Sequence, residues 1–120
     1  RYTAGLKAGI YQIVADNGAH AAFVVGEGIT DWQGIDRKAA AAQLVINGET
    51  ISTGVGANAF GDPLDSLVWL VNDRSRRGDG LFSGDLVTTG SCCEELGWAK
   101  VGDCVVAEFD VLGSVEVNFT

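Results

Sequence analysis

Little in this chain is basic, and little is suited to binding soft metals. Eight lysines and arginines face sixteen aspartates and glutamates, giving a net charge of −8. The only basic cluster is Arg74, Arg76 and Arg77. A surface of that sign repels phosphate backbones, so nucleic acid is excluded as an expected partner; plain solubility accounts for the excess of acid. No apolar run approaches the roughly 20 residues that a membrane span requires, so no membrane partner is expected. The opening stretch RYTAGLKAGIYQIV lacks the basic region, apolar region and small-residue cleavage site of a secretory signal, and the expected compartment is the cytoplasm.

There is one histidine, His20, and there are three cysteines, Cys92, Cys93 and Cys104. An odd count without a CxxC pair excludes a disulfide framework and a zinc ribbon. A bridge between the adjacent Cys92 and Cys93 would close a strained ring. With so few soft ligands, zinc has little to bind. The cysteines read as reduced, semi-polar residues. No Ser/His/Asp spacing, P-loop or HExxH is present. GVGANA (54–59) matches a G-x-G-x-x-G/A pattern, but no second strand with a terminal acid follows it. It reads as a tight loop of small residues. Glu94-Glu95 reads as exposed loop charge.

What is present suits one mainly β domain over 1–120. Hydrophobic residues make up 47% of the chain, which is ordinary for a globular protein. Leu6, Ile10, Ile13 and Val14 share one helical face, predicting an amphipathic helix over 4–16 that Asp16-Asn17-Gly18 ends. AAFVVG (21–26) reads as a buried strand, and residues 38–42 as either helical or extended. QLVINGETIST (43–53) is a hairpin, because Asn47-Gly48 is the preferred type I′ pair. Asp62 caps a helix that Pro63 begins, Leu64, Leu67, Val68 and Val71 form its buried stripe, and Gly78 terminates it. LVTT (86–89) is a strand, 100–103 a turn and CVVAEFDV (104–111) a strand. Gly113-Ser114 turns the chain into an alternating strand with Val115, Val117 and Phe119 on one face. Many short strands, two helices and 17 glycines predict an antiparallel roll or barrel with helices at its edge.

An ordered string of motifs goes further. RYT, VADN with FVVG, NGETISTGVGANAFGDPLDSLVWLVN, GLFSGDLVTTGS, KVGD and LGSVEVNF together resemble the C-terminal half of the 2-keto-4-pentenoate hydratase and 4-oxalocrotonate decarboxylase family, within the fumarylacetoacetate hydrolase superfamily. The resemblance implies an α+β, mainly β fold: a contorted β-roll or barrel of the fumarylacetoacetate hydrolase C-terminal type with two flanking helices. It implies a component of a metal-dependent lyase acting on small 2-keto or 2-hydroxy-dienoic acids of aromatic-ring degradation. Chelation of the keto acid by Mg²⁺ or Mn²⁺ would polarise the carbonyl, an enol would form, and a proton relay would permit hydration. The alternatives are an oxalocrotonate-type decarboxylase and a non-catalytic partner subunit that stabilises an active homologue. The family's metal carboxylates and catalytic lysine lie upstream of the segment matching Arg1, so no metal ligand is assigned here. A companion chain or N-terminal half carrying them is the implied partner, in an oligomer.

By the same resemblance Thr89-Gly90-Ser91 is a loop facing the metal-bound substrate, where Thr89 and Ser91 donate hydrogen bonds to a carboxylate or enolate oxygen. Asp16 and Asn17 join it as substrate-binding residues. Where the family commonly has Ala-Ser-Ser after Ala-Asp-Asn, this chain has Gly18-Ala19-His20. The replacement removes a hydroxyl pair and offers an imidazole for proton transfer near neutral pH; altered or lost activity is the other outcome it admits. His20 and Ser91 are the catalytic candidates. Gly61-Asp62-Pro63 stands where the family has Gly-His-Pro and is read as a helix cap.

Overall fold

The computed structural model describes residues 9–120. Its framework is a four-stranded, wholly antiparallel sheet in the order β2-β1-β3-β4. The strands are β1 (Ala41–Ile46), β2 (Glu49–Val55), β3 (Cys104–Phe109) and β4 (Gly113–Asn118). The β1–β2 hairpin turns on Asn47 (φ 52°) and Gly48 (φ 82°), the left-handed pair that a type I′ turn needs. A bulge follows Leu44, where the register steps from Leu44↔Ser52 to Val45↔Thr50. The predicted hairpin forms this pair; of residues 38–42, which the sequence leaves as helical or extended, Ala41 and Ala42 begin β1 while Lys38 and Ala39 lie in a turn.

β3 lies on the other side of β1, with Gln43 opposite Glu108 and Leu44 opposite Ala107. The chain reverses into β4 through a 3₁₀ turn at Asp110–Leu112, so Gly113-Ser114 begins the strand and does not form the turn. Val115 and Val117 alternate with exposed Glu116 and Asn118 as the pattern predicts. The sheet is open, with β2 and β4 as its edge strands. Among the described residues it does not close into the expected barrel.

α2 (Pro63–Arg76) forms as the sequence signals it. Asp62 accepts a hydrogen bond from the Leu64 amide at 2.9 Å, Pro63 opens the helix, and Gly78 (φ 79°) follows its end. Its stripe is not buried: Leu64 and Leu67 are half-covered, while Val68 and Val71 are exposed. α1 (Ile10–Ala15) is shorter than the predicted 4–16 helix, and Leu6 lies outside the described residues. Ile10 and Val14 of its apolar face are exposed.

Two predicted strands are corrected. Residues 21–26 and 86–89 form no helix and join no ladder. Their β-forming side chains are not enough, because a strand persists only where a neighbour satisfies its backbone groups. Phe23, Val24, Val25 and Leu86 are accordingly exposed.

The buried core is made of small side chains: Ala40, Ala42, Ala59 and Ser52. Large apolar groups lie outside, including Phe60 (72% exposed), Phe82 (73%) and Trp98 (68%). The accessible surface is 8904 Å². A compact monomer of this mass would present about 6,200 Å². Among the described residues, no helix is long and apolar enough to cross a membrane.

A polar loop pinned to the edge of the sheet

The loop from Thr89 to Glu95 is held by β2. Gly54 of β2 bridges Cys93, the Glu94 amide donates to the Thr53 carbonyl at 3.2 Å, and the Glu95 amide donates to the buried Ser52 hydroxyl at 2.9 Å. The loop thus satisfies the outer backbone groups of an edge strand that would otherwise be a template for aggregation. Gly54 must be glycine for this contact. A Cβ there would lie 1.9 Å from the Cys92 carbonyl oxygen. Asn58 donates to that same oxygen at 2.9 Å. Further along, Gly97 lets the chain lie on Leu44, whose Cδ2 would be 2.5 Å from an added Cβ.

The GVGANA stretch is a loop only in part: Gly54 and Val55 end β2, and Gly56–Asn58 form a 3₁₀ turn. A Cβ on Gly56 would meet the Arg37 carbonyl oxygen at 1.7 Å. What the sequence reading missed is that Ser52, Gly54 and Asn58 position the Thr89–Glu95 loop. The available signal was the pair of closely spaced glycines, which mark close backbone approach whether or not a nucleotide is bound.

Within the loop, Gly90 adopts φ 127° and packs against the buried Ala59, 3.5 Å from an added Cβ. The exposed Ser91 Oγ donates to the Cys93 carbonyl at 2.9 Å. Gly90, Ser91, Cys92 and Cys93 border a cavity of about 250 Å³ whose floor includes Leu44, Ala107 and Phe109 of the sheet. Gln43 and Glu108 are hydrogen-bonded side chain to side chain across β1 and β3, beside a second cavity of about 280 Å³. Burial pushes the Cys92 thiol up from its ordinary pKa, and burial followed by the neighbouring Cys92 does the same for Cys93.

The second group of candidates lies at the end of α1. Asp16 is half-buried at the helix terminus, and Asn17, Gly18 and Ala19 form a 3₁₀ turn in which all three have positive φ (54°, 68° and 63°). Consecutive left-handed residues are costly when one is alanine. His20 follows in extended conformation and is exposed. The structure thus assembles Thr89, Gly90 and Ser91 in one loop, and Asp16, Asn17 and His20 in another. None of the five main cavities among the described residues is walled by both groups.

A cation of the kind the resemblance implies needs several convergent oxygens. Among the described residues, no three His, Cys, Asp or Glu side chains come together in a way that could hold a metal ion. The donor set of this chain does not fit that ion, and no reaction step through it is derived from these residues.

Comparisons with known proteins agree with the loop-bearing sheet as a recurring unit. The family profile for the fumarylacetoacetate hydrolase C-terminal domain matches residues 3–120. A 2-keto-4-pentenoate hydratase of Burkholderia vietnamiensis is 37% identical over 110 residues, 92% of this chain and 42% of that protein. A 2-hydroxyhexa-2,4-dienoate hydratase of Comamonas testosteroni is 32% identical, over 95% of this chain and 43% of the relative. Among solved structures, 4-oxalocrotonate decarboxylase from Pseudomonas putida G7, complexed with calcium and acetate, superposes with a TM-score of 0.80 at 30% identity. That match covers 90% of this chain and 41% of the decarboxylase. The same enzyme complexed with magnesium and adipate gives 0.79. The chain spans about two-fifths of the length of these relatives.

Proposed function

We propose, from the premise that this chain belongs to the fumarylacetoacetate hydrolase family through that family's C-terminal domain, that it is one component of a lyase acting on small 2-keto or 2-hydroxy-dienoic acids. Hydration of a 2-keto-4-pentenoate-like substrate is the leading activity, and oxalocrotonate-type decarboxylation is the second. The observation that carries the reading is the 37% and 32% identity, over 92% and 95% of this chain, to proteins named as hydratases of such acids. The second activity draws support from the solved decarboxylase with bound calcium or magnesium.

In this reading Thr89 and Ser91 face the substrate, and Ser91 supplies a hydrogen bond to a carboxylate or enolate oxygen. Its proton now serves the Cys93 carbonyl at 2.9 Å. Turning it toward substrate gives up one exposed hydrogen bond, a cost of about 1 kcal/mol. A donor aimed at developing negative charge returns more than that. Asp16 and Asn17 orient the substrate, and His20 moves a proton to or from the double bond. The divalent ion would be held by carboxylates on a separate segment or subunit. It would supply a positive centre for the keto-acid end.

That companion also explains the exposed apolar side chains. Phe60, Phe82 and Trp98, with Ile10 and Val14 of α1 and Val68 and Val71 of α2, are exposed apolar side chains that a partner would cover. Closure of the open sheet into the family's contorted roll, with α1 and α2 flanking it, is part of this proposal. So are an oligomeric assembly and a cytoplasmic location.

The test is complementation. The isolated chain should bind Mn²⁺ no better than a generic acidic surface and should not turn over a 2-hydroxy-dienoate. Adding the N-terminal half of a homologous hydratase should restore metal binding and loss of the dienoate absorbance together. Stoichiometric micromolar Mn²⁺ binding with turnover by the chain alone would overturn the two-component reading. Full activity of the partner without this chain would assign it a purely stabilising role.

A further inference from the structure

Cys92 and Cys93 have no part in the chemistry above, yet the fold treats them unusually. Both border the same cavity of about 250 Å³ beside Ser91. Their backbone is fixed: the Cys92 carbonyl accepts from Asn58 and lies close against Gly54, and Cys93 is bridged to β2. Two adjacent cysteines on a clamped backbone thus line one space. We infer that the Cys92–Cys93 pair is a bidentate site for a thiophilic trivalent centre, the chemical class of an organoarsenous acid.

Ring geometry supports a bridging atom over a direct bond. Sulfurs joined at about 2.05 Å between adjacent residues close a strained ring. Inserting one larger atom widens the ring and lets the sulfurs stand further apart. The step balances without any oxidant. Two S–H bonds and two As–OH bonds break, two As–S bonds form, two waters leave, and arsenic stays trivalent. Thiol sulfur is the soft ligand that such a centre prefers. Burial raises the pKa of both thiols, with the neighbouring Cys92 adding to it at Cys93, which slows reagents that need a standing thiolate. Condensation with an As–OH group expels water and has no such requirement. Cys104 lines none of the main cavities and serves as the internal control.

This inference concerns binding and stands whether or not the lyase reading holds. The experiment titrates the full chain with phenylarsine oxide and follows intact mass and free thiols. One adduct per chain is expected, with two of the three thiols consumed. Excess 2-mercaptoethanol should leave it in place, and 2,3-dimercaptopropanol should remove it. Cys92→Ala and Cys93→Ala should each weaken binding by roughly 10²–10⁴-fold, the gain that linking two contacts provides. Cys104→Ala should bind as the parent does. Far-UV circular dichroism accompanies each variant, with Cys92→Ser and Cys93→Ser replacing any alanine variant that does not fold. Parental affinity in the folded Cys92 or Cys93 variant, loss of binding on changing Cys104, or no stoichiometric adduct on the folded parent would each overturn it.

Discussion

Residues 21–26 (AAFVVG) and 41–46 (AAQLVI) are close in length and apolar character, yet they have opposite fates. The second is β1, paired with β2 through a two-residue turn and with β3 on its other side. The first lies outside every ladder, with Phe23, Val24 and Val25 exposed. LVTT at 86–89 behaves like the first. Intrinsic preference is similar in all three, so the difference lies in the partner. Where the neighbour is local, as with Asn47-Gly48, the strand is self-contained. Where it is not, the segment stays open to whatever packs against it. His20, Thr89, Gly90 and Ser91 lie on or beside such a segment, while Asp16 and Asn17 lie at the end of α1.

Gly54 is where the two kinds of region meet, and Gly54→Ala should have the largest effect. The new methyl would lie 1.9 Å from a backbone carbonyl oxygen that no side-chain rotation can move. Either β2 or the Cys92 loop must give way, with loss of the Glu94 and Glu95 hydrogen bonds. We expect a loss of about 3 kcal/mol, the upper end for overpacking. The urea midpoint should fall with little change in slope, because the same fold is weakened. An unchanged midpoint would show that the loop is not anchored through Gly54.

Ser91→Ala separates the site from its scaffold. In the assembled, metal-loaded enzyme it should lower kcat by roughly 10²-fold, the effect of one lost oxyanion donor. Stability should hardly change, since the hydroxyl is exposed and bonded only within its own loop. An unchanged kcat would remove Ser91 from the substrate's surroundings.

The sequence was legible wherever a short-range device decided the outcome. Asn47-Gly48, Asp62-Pro63 and the Val115/Val117 alternation each point to a structure that the local backbone alone can satisfy. The resemblance in motif order identified the family. The open sheet was not legible, because strand pattern records which face is apolar and not which strand lies alongside. For the same reason the stripe on α2 was read as buried. Leu64, Leu67, Val68 and Val71 are correctly spaced, but spacing does not say whether the covering surface lies within the described residues. Ser52, Gly54 and Asn58 were missed because their role depends on a loop some forty residues later in the chain.

On the self-contained side, Asp62→Ala should cost about 1 kcal/mol, the usual effect of losing an N-cap acceptor. Asp62 accepts from Leu64 at 2.9 Å, and its carboxylate also lies 3.7 Å from Lys38. Asp62→Asn should recover most of the loss, since an amide oxygen caps equally well and a 3.7 Å pair with an exposed lysine adds little. Failure of asparagine to rescue would shift the weight to Lys38. Urea denaturation of the two variants decides between cap and charge.

The smallest expected effect comes from Asp103, which ties the two hairpins together. Its carboxylate accepts from the Asn47 side chain at 2.8 Å and from the Lys100 amide at 2.7 Å, while Asn47 Oδ1 takes the Cys104 amide at 2.9 Å. The Asn47 hydrogen bond, followed by the Lys100 amide, holds the Asp103 pKa below its ordinary 3.8. A carboxyl with a depressed folded-state pKa binds its proton more readily once unfolded. Its contribution is therefore complete above the ordinary value, and it is lost as pH falls past 3.8 and through the lower folded value. Between pH 7 and 5 this group should contribute no pH dependence. Below pH 4, stability should fall less steeply in Asp103→Asn than in the parent, because the titrating group is gone. The exposed setting makes the difference modest. Acid titrations of both proteins, followed by circular dichroism, should diverge only at the acid end. Superimposable curves would show that the Asn47–Asp103 contact contributes nothing to joining the turns.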